Sequence, residues 1–141
     1  MSNSVVAVGV VLIAALAVSV VVGRLLTRRD GVLRDATSGA TGAGAGGLDL
    51  PAGTPAIVHF SAPWCGPCGA VRRVVDDVCA TLPTVAHVEL DLDANPAAAR
   101  ELSVSSLPTT FVFDADGQQR YRASGVPKAA DLRSALQPLL A

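Results

Sequence analysis

Ala56-Ile57-Val58-His59-Phe60, followed by Ser61-Ala62-Pro63-Trp64-Cys65-Gly66-Pro67-Cys68-Gly69, is the stretch from which the rest of the chain can be read. Its first five residues are short and mostly apolar, as expected of a central parallel strand buried on both faces. Two thiols then stand two residues apart, Cys65 and Cys68, and a helix-like pattern begins directly after them. A Cys-x-x-Cys pair at a strand-to-helix junction is the arrangement of a dithiol redox centre. A helix starting near Cys65 points free backbone N–H groups and its positive dipole end at that sulfur, which favours thiolate. Cys65 is therefore expected to be the exposed nucleophile. Gly66-Pro67 allows the tight entry, because the missing N–H of proline is not needed in a first helical turn. Cys68, one turn in, is placed to attack a mixed disulfide formed on Cys65 and complete the exchange.

Downstream the pattern alternates helix and strand. The spacing predicts a helix over Gly66 to Thr81, with Val71, Val74, Val75, Val78 and Leu82 on one side and Arg72, Arg73, Asp76 and Asp77 on the other. Val85 to Leu92 alternates strictly, so Ala86, Val88, Leu90 and Leu92 share one face of a strand and His87, Glu89 and Asp91 the other. Asn95-Pro96 supplies a cap and first residue for a helix over Ala97 to Leu102. Thr109 to Phe113 and Gln118 to Ala123 flank Asp114-Ala115-Asp116-Gly117, a hairpin signal. Pro127 opens a last helix carrying Leu132, Ala135, Leu136 and Leu139, which Pro138 ends or distorts. The order is β-α-β, then α-β-β-α. A mixed four-stranded sheet with helices on both faces is the packing this predicts.

Composition narrows the function. A formal net charge of −1 implies no general affinity for nucleic acid. Three cysteines are too few for a disulfide-stapled secreted scaffold. A zinc site needs four ligands, and Cys79, His59 and His87 stand at no familiar spacing, so no metal and no cofactor are expected. Cys79 follows Cys68 by roughly 16 Å along a helix axis, beyond disulfide reach, and reads as a small buried hydrophobe.

Upstream, Val5 to Gly23 is free of charge, with Leu25 and Leu26 beyond Arg24. That length suits a membrane-spanning helix, which needs roughly 20 apolar residues. No Lys or Arg precedes the run and Arg-Leu-Leu-Thr-Arg-Arg follows it, unlike a cleaved signal peptide. Residues 1–29 are thus expected to be an anchor with a basic flank, meeting the bilayer through residues 5–26. Arg24, Arg28, Arg29 and Arg34 place the following residues in the cytoplasm by the positive-inside tendency. Residues 30–55, centred on Gly39-Ala40-Thr41-Gly42-Ala43-Gly44-Ala45-Gly46-Gly47, read as a flexible linker. Such a tether has a typical end-to-end distance of about 25–30 Å. Residues 56–141 form the folded domain.

Ala62-Pro63-Trp64-Cys65-Gly66-Pro67-Cys68, with Leu107-Pro108-Thr109 downstream and Gly125 after the hairpin, resembles the thioredoxin family. The resemblance covers residues 56–141 and implies a three-layer α/β fold. It implies a protein-disulfide reductase with Cys65 attacking and Cys68 resolving, and with Trp64, Gly66 and Pro67 beside them. Pro108 matches the family's cis-proline facing the active site, so Leu107 would offer its backbone to a substrate strand. Gly125 matches a glycine that lets substrate approach. Implied partners are proteins carrying disulfides and an upstream reductase or membrane thiol donor.

Three departures stand out. Leu48 to Pro55 is too short for the strand and helix that begin the family's long form, so the fold should be the minimal core with Val85 to Leu92 as a sheet edge. The family's buried aspartate and its partner lysine align with His59 and Glu89, acid and base exchanged. His59 is thereby a candidate for proton transfer with the resolving thiol, with Glu89 fixing its tautomer or raising its pKa. Ser61 and Gly69 replace a tryptophan and a lysine frequent in the family. Two other functions stay open on the sequence: an extracytoplasmic reductant serving apocytochrome c maturation, and a non-catalytic module that binds clients through the Pro108 groove. Gly69 follows Cys68, so the chain has no haem-binding Cys-x-x-Cys-His of its own.

Overall fold

The apolar N-terminal run forms one helix, α1 (Ser2–Thr27), in a computed structural model that describes residues 2–28, 30–36 and 47–141. Ser19 and Thr27 are polar interruptions, and each returns its hydroxyl to a carbonyl one turn back, Ala15 at 2.9 Å and Gly23 at 3.0 Å. The hydroxyls are satisfied within the helix, as a lipid-exposed segment requires. Val5–Thr27 is long and apolar enough to cross a membrane: at 1.5 Å per residue it spans about 35 Å, against a hydrocarbon core of about 30 Å. Length and composition are what the helix offers toward a membrane, and signal sequences share both. It lies in a compact unit of its own, Met1–Asp30; the second is Gly31–Ala141.

The second unit contains β1 (Arg34–Asp35), β2 (Ala56–Ser61), α2 (Cys68–Thr81), β3 (Ala86–Asp91), α3 (Pro96–Glu101), β4 (Thr109–Phe113), β5 (Gln119–Ser124) and α4 (Ala129–Leu136). A 3-10 turn, Gln137–Leu139, follows α4 where Pro138 interrupts it. The sheet order is β1-β5-β4-β2-β3, with β2 and β3 parallel and the other pairs antiparallel. Every residue of β2 is buried, the signature of a central strand covered on both sides. On one side Ile57 and Val112 pack with Val71, Val75 and Val78 of α2 and Leu132 and Leu136 of α4. On the other, Val58, Phe60, Phe111 and Phe113 pack with Ala99 and Leu102 around α3. Phe60 meets Phe111 edge to face, at 6.1 Å between centroids, a favoured aromatic geometry. The three-layer mixed fold follows from the sequence pattern.

The strand count does not. The sheet has five strands, not four, because Arg34 and Asp35 pair with Arg122 and Tyr121 on the outer edge of β5. Composition assigns both residues to a linker, yet an uncovered β5 edge offers unpaired backbone groups that a neighbouring segment can satisfy. Gly31 begins this pairing, donating its N–H to the Ser124 carbonyl. Its φ is +77°, and a Cβ there would lie 2.1 Å from the Val126 carbonyl oxygen, so glycine is required on both counts. At the far end of the same stretch, Leu48 and Leu50 pack on the aromatic core. The Gly/Ala-rich centre over 37–46 lies outside the described residues. The opposite edge of the sheet is β3, as expected from the short Leu48–Pro55 stretch that leaves no room for a further strand, and it is half-buried throughout. Smaller differences are α2 starting at Cys68 instead of Gly66 and Cys79 being half-buried instead of buried; it is unpaired, as its distance from Cys68 implies.

Candidate active site

The end of β2, the turn after it and the start of α2 hold the two thiols. Cys65 and Cys68 are disulfide-bonded, with Cα atoms 5.6 Å apart. A turn ahead of α2 explains the pairing, with Cys68 N–H donating to Cys65 O at 3.4 Å across residues 65–68. The turn is closed by Cys65 N–H donating to Ala62 O at 3.0 Å, and Pro67 caps α2. The sulfurs differ in access: Cys65 is half-buried, whereas Cys68 is only 3% exposed. Cys65 is therefore the more accessible of the two to an incoming disulfide. Cys68 Sγ lies 3.9 Å from the carbonyl of Phe60.

The other expected site residues lie in the same turn and in the loops before β4 and after β5. Trp64 is 68% exposed beside Cys65, and Gly66 and Pro67 are exposed in the turn. The Leu107–Pro108 peptide bond is cis. Gly125, at φ +83°, donates its N–H to the Pro108 carbonyl at 2.9 Å, so the loops before β4 and after β5 are bound together. Leu107 and Gly125 are half-buried, and Pro108 is buried.

Beneath the thiols lies a polar network that the sequence only half reveals. His59 and Glu89 are register partners on β2 and β3, and His59 has no exposed surface. Glu89 is nevertheless held elsewhere. Arg72 of α2 donates Nε to its Oε2 at 2.7 Å, and Ser61 Oγ donates to its Oε1 at 2.7 Å. Oε1 stays 3.7 Å from His59 Nε2, beyond hydrogen-bond reach. The Arg72 hydrogen bond, with Ser61 adding to it, holds the Glu89 carboxyl at a pKa of about 2. Burial pushes His59 down to about 4, outweighing the Glu89 charge that acts to raise it. Glu89 therefore makes no hydrogen bond that would fix the His59 tautomer, and although its charge raises the His59 pKa as expected, burial outweighs it. Ser61, Arg72, Glu89 and Asp91, with Ala62 and Pro63, line a cleft of about 360 Å³ next to the thiol turn.

The hydrogen-bond partner of His59 is His87. Its Nε2 lies 3.1 Å from His59 Nδ1, the rings stack at 5.0 Å, and its Nδ1 lies 2.9 Å from Asp76 Oδ1. Two spacings bring these groups together. Arg72 and Asp76 are one turn apart on α2, about 6 Å, and Glu89 and His87 are two residues apart on β3, about 6.6 Å. Because α2 runs back against the strand, Arg72 meets Glu89 while Asp76 meets His87. Sequence reasoning gave His87 no role. The signal available was its place on the Glu89 face of β3, opposite the charged side of α2. His59 Nε2 and the hydroxyl of Thr110, its partner on β4, are buried without a hydrogen-bond partner among the described residues. No cluster of three or more metal-ligating side chains occurs among the described residues.

The thioredoxin family model matches residues 50–138. Thioredoxin from Mycolicibacterium smegmatis is 43% identical over 88 residues, spanning 60% of this chain and 78% of the relative. Thioredoxin from Mycobacterium tuberculosis is 44% identical over 88 residues, spanning 60% and 73%. Among solved structures, Fasciola hepatica thioredoxin aligns with a TM-score of 0.55 at 32% identity, covering 62% of this chain and 83% of its own. Chloroplastic thioredoxin z aligns with a TM-score of 0.56 at 31% identity, covering 62% and 80%.

Proposed function

The chain belongs to the thioredoxin family and is a thiol–disulfide oxidoreductase, and from that premise we propose that it reduces protein disulfides while tethered to a membrane. The observation that carries the chemistry is the unequal access of two bonded sulfurs, a half-buried Cys65 and a 3%-exposed Cys68. In the reduced protein the Cys65 thiolate attacks a substrate disulfide and forms a mixed disulfide. Cys68 then gives up its proton and attacks Cys65 Sγ, releasing the substrate as a thiol and leaving the disulfide described above. His59 takes that proton at Nε2, the buried nitrogen without a partner. Trp64, Gly66, Pro67, Leu107, Pro108 and Gly125 form the face on which the substrate chain lies. Electrons return from an upstream reductase or membrane thiol donor. The full chain, kept reduced by dithiothreitol in detergent, is expected to precipitate insulin far faster than dithiothreitol alone; no acceleration would favour the client-binding module.

The same proposal assigns residues 1–29 to an anchor and 56–141 to the reductase, joined by residues 30–55, which also supply β1 and two core leucines to the fold. What supports an anchor is the 23-residue apolar helix Val5–Thr27, and the arginines after it favour a cytoplasmic reductase. In spheroplasts of an expressing bacterium, the domain is expected to resist added protease until the membrane is opened, and to sediment with membranes at high salt. Digestion in intact spheroplasts would place it outside, where reduction of apocytochrome c and other exported disulfides becomes the better reading.

A further inference from the structure

The Asp76–His87–His59 series reaches from the surface to the core. Asp76 is 60% exposed, His87 is 18% exposed, and His59 is sealed. Each link is within hydrogen-bond distance, at 2.9 and 3.1 Å. The chemistry of the end group orders the protons. Ionised Asp76 can only accept, so His87 donates from Nδ1. Neutral His87 then has a lone pair at Nε2, which accepts from His59 Nδ1. The second nitrogen of His59 is left as a free base inside the protein.

We propose that Asp76 and His87 carry protons between His59 and solvent, so that the buried histidine serves as a relay and never as a store. This rests on the reading of His59 as the proton acceptor of Cys68. As Cys68 attacks, its S–H proton passes to His59 Nε2. The Nδ1 proton of His59 moves to His87 Nε2, and the Nδ1 proton of His87 moves to Asp76, whose exposed carboxyl releases it to water. One proton leaves the thiol and one reaches solvent. Both rings end neutral with their tautomers exchanged. Reduction of the Cys65–Cys68 disulfide by the thiol donor needs a proton back on Cys68, and the same path in reverse restores both tautomers.

The surroundings of His59 explain why relaying is required. The charged groups facing it are Glu89 and His87 of β3 and Arg72 and Asp76 of α2; on β4 its partner is the uncharged Thr110. Glu89 is neutralised by Arg72 and sits out of hydrogen-bond range. A proton held on His59 would thus be a buried charge with no bonded counter-ion, which is costly. Passing one proton out at Nδ1 as another enters at Nε2 avoids that state.

The test compares full-length wild type, His59→Ala, His87→Phe and Asp76→Ala, each prereduced, for single-turnover reduction of insulin from pH 5 to 9. The expected result at pH 7 is a loss of about tenfold for His87→Phe, less than the roughly hundredfold and more of a direct general acid or base because His87 acts through His59, and a smaller loss for Asp76→Ala. A matching loss in His59→Ala, not increased by adding His87→Phe, places both histidines on one path. ¹⁵N spectra of histidine-labelled wild type should show the His59 proton on Nδ1, and Asp76→Ala, an exposed change that spares the core, should unfix it. If His59→Ala is slow while His87→Phe and Asp76→Ala keep wild-type rates and pH profiles, the relay is wrong and the His59 reading survives. If His59→Ala is itself unimpaired, both are wrong. Should His87→Phe not fold, the rate and spectrum of Asp76→Ala decide.

Discussion

Cys65→Ser is expected to abolish insulin reduction, with a loss of at least about a thousandfold, because covalent exchange has no other nucleophile to use. The alternatives can be discounted from their positions. Cys79 is half-buried on the last turns of α2, and burial together with the Asp76 charge pushes its thiol pKa up, away from the reactive thiolate. Cys68 is buried under the turn. Cys68→Ser should behave differently. Cys65 still attacks, but nothing resolves the product, so the protein stays linked to its substrate as a mixed disulfide. Non-reducing electrophoresis should show stoichiometric adducts for Cys68→Ser and none for Cys65→Ser. Adducts forming on Cys65→Ser would reverse the assigned roles. The same trap, applied in cells, identifies client proteins by mass spectrometry.

Much of this site is legible in the sequence, for a physical reason in each case. The buried β2 announces itself by an apolar run, α2 by valines at helical spacing, and β3 by strict alternation. The dithiol is local, so its chemistry follows from three consecutive residue steps. What escapes the sequence depends on which surfaces meet. Arg34 and Asp35 have no apolar pattern; they form a strand because the β5 edge is available and Gly31 can turn beside Val126. His59 and Glu89 are correctly matched in register, yet register fixes backbones and not side-chain loyalties. A long arginine from α2 claims the carboxylate, and the histidine turns to a second histidine one diagonal step away. That exchange is set by the rotation of α2 over the sheet, which no single element encodes.

The same exchange gives the protein a marked sensitivity to acid. His59 has a folded pKa of about 4, below its ordinary 6.5. Between these values the unfolded chain binds a proton that the folded one refuses, so stability rises with pH across that window and falls on acidification. The contribution is intact above pH 6.5 and lost by pH 4. A gap of this size corresponds to about 3 kcal/mol, a large part of the 5–15 kcal/mol typical of a domain. Glu89 acts in the same direction one step lower. Its pKa falls from 4.5 to about 2, so its contribution is present above pH 4.5 and lost as pH falls through 2. Urea unfolding of the full chain in micelles, followed by circular dichroism, should therefore give a midpoint that drops from about pH 6.5 to 4 and keeps falling below 4.5 as Glu89 takes over. His59→Leu removes the first titration while keeping the site apolar, and its midpoint should be flatter from pH 6.5 to 4 but still fall below 4.5. Equal midpoints for the wild type at pH 7 and 4.5 would mean that His59 can take a proton in place, and with that the reason for handing it on to His87 would disappear.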